Sequence, residues 1–385
     1  MAERLLSHVV SDLCLGKPAL RSLSVTATVA DALLALKSSE DNFISVWSCS
    51  GGGLNEEEEC QCVGKICMVD VICYLSQEEN LLSPSLALKS LVSILMPEAP
   101  GLVMHIEPSS SLLEAIDLIL KGAQNLVVPI KTRRRVNHQQ KLLQTIHGGR
   151  EYCWLTQEDM MRFLLSSIGL FSPIPALSIE SLNIISTDII TIHYHSPASE
   201  ANGPISRSLS SQTSVAIIDP EGILIGEISP STLACCDETV AAALTTLSTG
   251  DLMAYIDCGG PPEDLVKVVK ERLKKRGLGR MLEEFSITPP SSPNLPLASS
   301  DEESSNGGVI RSGKYNRSLS YSARMVRRAE AIVCNPRSSL VAVMIQAIAH
   351  RVNYVWVIED DGSLIGIVTF YDMLKVFRDQ LESMA

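Results

Sequence analysis

The sequence predicts an α/β fold made of four copies of one unit, each running strand, helix, strand, strand, helix. Three observations carry that prediction. Short apolar runs and helical stripes alternate in this order four times along the 385 residues. The residues that close the last strand of each copy, Cys67, Thr156, Ser229 and Thr369, fall 89, 73 and 140 residues apart. The excess in the last interval contains Ser286 to Ser322, a Ser-, Pro- and Gly-rich stretch with almost no core-forming residues, which reads as a disordered linker.

The elements follow in order. Leu5, Leu6, Val9, Val10 and Leu13 form one helical stripe that stops at Gly16, with Pro18 beyond. In the first copy Leu23-Ser24-Val25 is a short strand, Thr28 caps a helix carrying Val29, Ala32, Leu33 and Leu36, and Phe43 to Trp47 is the second strand. Val63 to Met68 is the third, running into a helix near Asp70. The second copy has a strand from Val103 to Ile106, a serine-capped helix from Leu112 to Leu120, and strands from Leu126 to Ile130 and from Tyr152 to Leu155, the last entering a helix at Thr156. The third has strands at Ile189 to Tyr194, Val215 to Ile218 and Leu224 to Ile228, with a loop and short helix after the first. The fourth is the clearest: Ala331 to Cys334, Ser339 to His350, Tyr354 to Ile358, an Asp360-Asp361-Gly362 turn, Leu364 to Val368, and a helix from Thr369.

Between the third and fourth copies, Pro261-Pro262-Glu263-Asp264 opens an amphipathic helix through Val266, Val269 and Leu273 that restarts after Gly277 towards Phe285. Smaller insertions are Ser50 to Cys62, with three glycines and four consecutive glutamates, and Arg133 to Arg150.

Composition narrows the function. A formal charge of −12 argues against nucleic-acid binding, because tracking phosphates requires a net basic face and only the short clusters Arg133 to Arg135, Lys270 to Arg276 and Arg324 to Arg328 are basic. No apolar run approaches the roughly 18 residues of a membrane span, and Glu3 and Asp12 weaken a leader-peptide reading, so the expected location is the cytoplasm or the nucleus. Eleven cysteines form no recognisable disulfide framework, and an odd count fits a reducing compartment. No metal site is read from spacing: Cys60-Gln61-Cys62 is not a zinc knuckle, and His193 and His195 share a strand face without a third ligand. Gly51-Gly52-Gly53 lacks the Lys-Ser/Thr of a P-loop, and no nucleophile, base and orienter can be assembled, so no enzyme is expected. Thr288-Pro289, Ser292-Pro293 and the Arg317 to Ser320 stretch are candidate phosphorylation points near Arg324, Arg327 and Arg328, set against an inert, solubilising linker.

The fourth unit, with Asn353-Tyr354-Val355-Trp356-Val357-Ile358 leading to Gly366-Ile367-Val368-Thr369-Phe370-Tyr371-Asp372, resembles a CBS domain. With its Ala323 to Ala331 lead-in and the order of units, the chain resembles plant CBS-domain proteins of the CBSX class in their four-repeat form, relatives of the gamma-type regulatory subunits of AMP-activated and SNF1-like kinases. The resemblance implies two tandem Bateman modules. The first is residues 1–172, with repeats at about 16–80 and 95–170. In the second, repeat three (173–258) pairs with repeat four (326–385) across a helix and linker at 259–325. Such an insert costs little, since doubling a flexible loop adds only about 0.6 kcal/mol.

The resemblance also implies ligand sites. The family pattern Gly-x-x-Thr/Ser-x-x-Asp places a hydroxyl and a carboxylate to hold a ribose. Thr369 and Asp372 fit fully; Thr156 and Asp159 fit with Cys153 in place of the glycine; Asp70 remains in the first copy, but Cys67 replaces the hydroxyl residue; in the third, Thr232 stands where the carboxylate belongs, making that site the weakest. Arg351 is a substitute for the family's phosphate-binding basic pair, whose positions hold Asn353 and Tyr354. The same Thr-x-x-Asp spacing is a capping box, so helix capping alone also explains these residues. The implied ligands are AMP, ADP, ATP or S-adenosylmethionine, with no cofactor. The implied partner is a regulated protein such as a protein kinase, or a second copy through the CBS modules. The alternative is a ligand-free scaffold whose clefts are plugged by residues such as Trp154 or Trp356.

Overall fold

A computed structural model describes residues 7–39, 41–49, 60–97, 101–130, 143–257, 261–285 and 330–384. The Ser/Pro/Gly-rich linker with its candidate phosphorylation points, the Arg324 to Arg328 cluster, the glycine and glutamate run of the first insertion, most of the second insertion, and Leu5 and Leu6 lie outside the described residues.

Each repeat contributes one sheet in which the second strand lies between the first, to which it is parallel, and the strand that enters the following helix, to which it is antiparallel. The strands are β1 (Ser22–Ser24), β2 (Phe43–Cys49) and β3 (Cys60–Cys67) in repeat one, and β4 (Val103–His105), β5 (Asn125–Ile130), β6 (Ile146–His147) and β7 (Arg150–Thr156) in repeat two. Repeat three has β8 (Thr191–His193), β9 (Val215–Ile218) and β10 (Leu224–Ile228), and repeat four β11 (Val333–Cys334), β12 (Tyr354–Ile358) and β13 (Leu364–Thr369). The orders are β1-β2-β3, β4-β5-β7-β6, β10-β9-β8 and β11-β12-β13. The central strand of repeat four reads as an apolar run: Tyr354, Val355, Trp356 and Val357 are all buried, because helices cover one face and a second sheet the other.

Two kinds of surface join the repeats. Sheet faces sheet within each module. In the first, Trp47 and Cys62 pack with Val127, Tyr152 and Trp154, and His105 accepts the Cys62 N–H at 3.0 Å. In the second, the turn around Gly362 pairs with the one around Gly222, with Leu224 N–H on the Gly362 carbonyl and Leu364 N–H on that of Gly222, both at 3.1 Å.

Helices, by contrast, pack between modules. The Met68–Leu75 helix of repeat one lies against Asn202–Ser211 and Val240–Thr246 of repeat three, and one continuous apolar core joins those repeats. The Phe370–Met384 helix of repeat four lies on Leu112–Leu120 and Gln157–Ser166 of repeat two. There Phe171 meets Phe377 edge-on at 4.9 Å, Arg378 pairs with Asp117 at 2.6 Å, and a second core forms. The four units therefore close on one another, each held to one neighbour by its sheet and to another by its helices. At the centre Gln212 of repeat three donates to the Gln124 carbonyl of repeat two at 3.2 Å and accepts from Asn353 of repeat four at 3.2 Å.

The helix after Pro262 forms as its pattern predicts, over Glu263–Lys275, but it is no mere connection. Val266, Val269 and Leu273 are buried in the core shared by repeats one and three, and Ser85 donates to Glu284 at 2.7 Å. Sequence reasoning also missed the helices Val240–Thr246 and Thr249–Ile256. The first is alanine-rich and buried nearly all round, so it shows no amphipathic stripe.

Candidate functional site

Three of the four copies place a carboxylate in the first turn of the helix after their last strand, and in each it caps. Asp159 accepts the Thr156 N–H at 2.8 Å, while Thr156 Oγ1 accepts the Asp159 N–H at 3.2 Å. Asp372 and Thr369 repeat the exchange at 2.9 and 3.2 Å, and Asp70 accepts the Cys67 N–H at 2.7 Å. In the third copy Ser229 caps alone, accepting from Ser231 N–H at 3.1 Å with Pro230 at the first helical position. Local geometry therefore satisfies the capping reading everywhere, and what distinguishes the sites is the space above each cap.

Beside Thr156 and Asp159 there is a counter-ion. Lys17, just after the first helix, pairs with Asp159 and donates to the Trp154 carbonyl at 2.8 Å, so the chain's own ammonium takes the carboxylate. Along the strand that leads to Thr369 the neighbour is backbone. Ser186 forms a two-way pair with Ile367, its N–H donating at 2.8 Å and its carbonyl accepting at 2.9 Å. A Cβ on Gly366 would stand 2.6 Å from that carbonyl and 2.6 Å from the Ile185 side chain, so only glycine admits this close approach. Burial pushes the Asp372 carboxyl above its usual range. Arg351 ends the Leu340–His350 helix as an exposed left-handed cap with φ 55°, its own N–H bonded to the Ile348 carbonyl at 3.2 Å.

The Asp70 site is open. A cavity of about 500 Å³ lies between repeats one and two and is closed on a third side by the Asn202–Ser211 helix of repeat three. That volume suits a drug-sized ligand. Its wall carries Lys65, Asp70, Gln77, Gln124, Asn202 and Ser206 against Phe43, Met96 and Leu102. Lys65 donates to Asn125 Oδ1 and stands 4.8 Å over the Phe43 ring. Both charged groups are held away from their ionised forms by burial: the Asp70 carboxyl is pushed up to about 6 and the Lys65 ammonium down to about 8. Desolvation outweighs the attraction between the two, as it does when neither has a close counter-charge. Asn202 donates to the Cys73 carbonyl at 3.3 Å, but its buried Oδ1 has no hydrogen-bond partner.

The expected residues thus separate. Asp70, from the copy with the damaged motif, faces a cavity; Asp159 faces Lys17; Asp372 belongs to a motif whose glycine, Gly366, is covered by the Ser186 backbone. Trp356 is fully buried between repeats three and four and donates to Glu227 at 2.8 Å, while Trp154 packs in the sheet interface of the first module. Lys65, Gln124 and Asn202 were not picked out from the sequence. Lys65 had a usable signal: a lone lysine two residues before the end of an otherwise apolar strand.

The matching family model is that of the CBS domain, over residues 323–379. Over its full length the chain is 51% identical to CBS domain-containing protein CBSX5 of Arabidopsis thaliana, with 100% of both chains covered. It is 21% identical to the SNF1-related protein kinase regulatory subunit gamma-like PV42a of the same plant, over 98% of this chain and 97% of the relative. Among solved structures, protein MJ1225 of Methanocaldococcus jannaschii aligns with a TM-score of 0.54 at 14% identity, covering 96% of this chain and 100% of that one, a likeness of fold.

Proposed function

The chain belongs to the CBS domain-containing proteins, and from that premise we propose that it is a non-catalytic regulatory protein that binds an adenosine-containing ligand in the cavity beside Asp70. The observation that carries the reading is the cavity itself, with one carboxylate and one ammonium on its wall and, among the described residues, no side chain filling it. Asp70, in the first helical turn, is placed to accept from vicinal ribose hydroxyls. Lys65 offers the single cation among the described residues of the wall, which suits a monophosphate better than a longer phosphate chain, whose added charge would be buried unpaired. The Asn202 acceptor suits an exocyclic amine.

Because the cavity draws on repeats one, two and three, an occupant bridges both modules. A ligand that binds one arrangement of the modules better than another shifts their balance, and this is the work such a fold offers a partner. The name borne by the PV42a relative supports a protein kinase as that partner. Calorimetry on the full chain with AMP, ADP, ATP and S-adenosylmethionine tests the ligand. Binding is expected in the roughly micromolar range, strongest for AMP, and weakened about tenfold or more in Asp70→Asn and Lys65→Ala. Silence from all four ligands sinks the proposal. Co-purification of an SNF1-type kinase with the chain, changed by the same ligand, tests the partner.

For the second module a scaffold reading is favoured by the Ser186 backbone lying over Gly366, which puts the chain itself against the strand end that opens onto the complete motif.

A further inference from the structure

The β2–β3 ladder ends on a pair of cysteines, Cys49 opposite Cys60, and repeat two sets an imidazole beside them. His147 Nδ1 lies 3.5 Å from Cys49 Sγ, and one ligand atom from each of the three residues falls within 4.8 Å of the others. We propose that Cys49, Cys60 and His147 form a binding site for a thiophilic divalent cation, with zinc the ion that this ligand set fits.

The histidine is prepared for ligation. Ser22 Oγ donates to the Gln144 carbonyl at 2.9 Å, so at 2.6 Å it accepts from His147 Nε2–H. This fixes the tautomer that leaves the Nδ1 lone pair facing the cysteines, as outer partners of metal-bound histidines do. The imidazole lies flat on Trp47, with centroids 3.9 Å apart and planes 2° from parallel, which fixes its orientation.

A tetrahedral zinc ion with bonds of about 2.3 Å to sulfur and 2.0 Å to nitrogen needs ligand atoms roughly 3.5 to 4 Å apart, so modest rotation of the cysteine side chains closes the site. Two thiolates cancel the charge of the ion, and binding releases the two thiol protons to solvent. Cys49 is exposed, so the fourth position faces water. The ion would join the end of the repeat-one sheet to β6 of repeat two, on a ligand set separate from the Asp70 cavity.

The test is titration of the reduced, metal-free full chain with Co(II). One equivalent is expected to give a thiolate-to-cobalt charge-transfer band with tetrahedral d–d bands in the visible, and Zn(II) should bleach both. Cys49→Ser and Cys60→Ser should each abolish the band, whereas Cys235→Ser with Cys236→Ser should leave it intact. The serine variants sit at a strand end and spare the His147–Trp47 stack, and an unchanged thermal midpoint confirms that they fold. Absence of the band in the reduced wild-type chain overturns the proposal, as does its survival in Cys49→Ser. A chain that binds no metal when reduced but forms a Cys49–Cys60 disulfide on oxidation also overturns it, identifying a redox pair instead.

Discussion

Lys65 and Glu227 hold the same place in two modules that have gone different ways. Each lies two residues before the N-cap of the helix that follows the last strand of its repeat, Cys67 and Ser229, and each reaches the residue that opens the central strand of the paired repeat, Asn125 for Lys65 and Tyr354 for Glu227. In the first module the centre is a cation on the wall of a 500 Å³ cavity. In the second it is a buried carboxylate that accepts from the Tyr354 hydroxyl at 3.0 Å and the Trp356 indole at 2.8 Å. One arrangement leaves polar groups waiting for an occupant; the other satisfies them with aromatic donors from the neighbouring strand. A cleft between paired repeats is thus a position that a single side chain can turn into a site or into a bolt.

The contrast can be broken most severely at Glu227. Glu227→Ala strands two buried donors and is expected to lower unfolding stability by about 2–5 kcal/mol, read by urea denaturation; Glu227→Gln, which keeps an acceptor, should lose less. Gly64 and Gly366, at the same position of their repeats, give a matched pair. Gly366→Ala drives a Cβ into a backbone carbonyl and should lose about 2 kcal/mol. Gly64→Ala meets only the flexible Met96 thioether, 2.8 Å from the added carbon, and should lose under about 1 kcal/mol.

Asp70→Asn should move stability the other way. A carboxyl with a folded pKa of about 6 takes up a proton on folding, so the wild-type chain loses stability as pH rises from about 4 to about 6. The asparagine variant should therefore be more stable by about 1–2 kcal/mol at pH 7 and no more stable at pH 4, by thermal unfolding across that range, while it loses the ligand. The smallest effect is expected from Lys17→Met: its part-exposed pair with Asp159 contributes about 1 kcal/mol at most. Release of Asp159 should add a second, weaker equivalent of nucleotide in calorimetry.

The fold was legible because its signals are local. Apolar strands, the Thr28, Thr156 and Thr369 caps and the Pro262 helix start are written within a few residues of one another. The capping carboxylates were legible for the same reason. What each carboxylate faces was not: Lys17 reaches Asp159 across 142 residues, Lys65 meets Asn125 across 60, and the Asn202 wall comes from a repeat in the other module. The complete motif at Thr369 pointed to the fourth repeat because its residues could be read, whereas the Ser186 backbone over Gly366 could not. Conversely, Cys67 counted against the first repeat, although its backbone N–H still donates to the Asp70 cap.

The crossed arrangement of sheets and helices makes covalent connection redundant for the last repeat. Residues 330–384 hold repeat three through Glu227 and the Gly222 turn, and repeat two through Phe171, Asp117 and a shared core. A chain cut between Phe285 and Glu330 would still present two fragments with interlocking faces. The connector is then free to lengthen, shorten or change composition without altering the register of the parts it joins, and selection can write new sequence there while the architecture stays fixed.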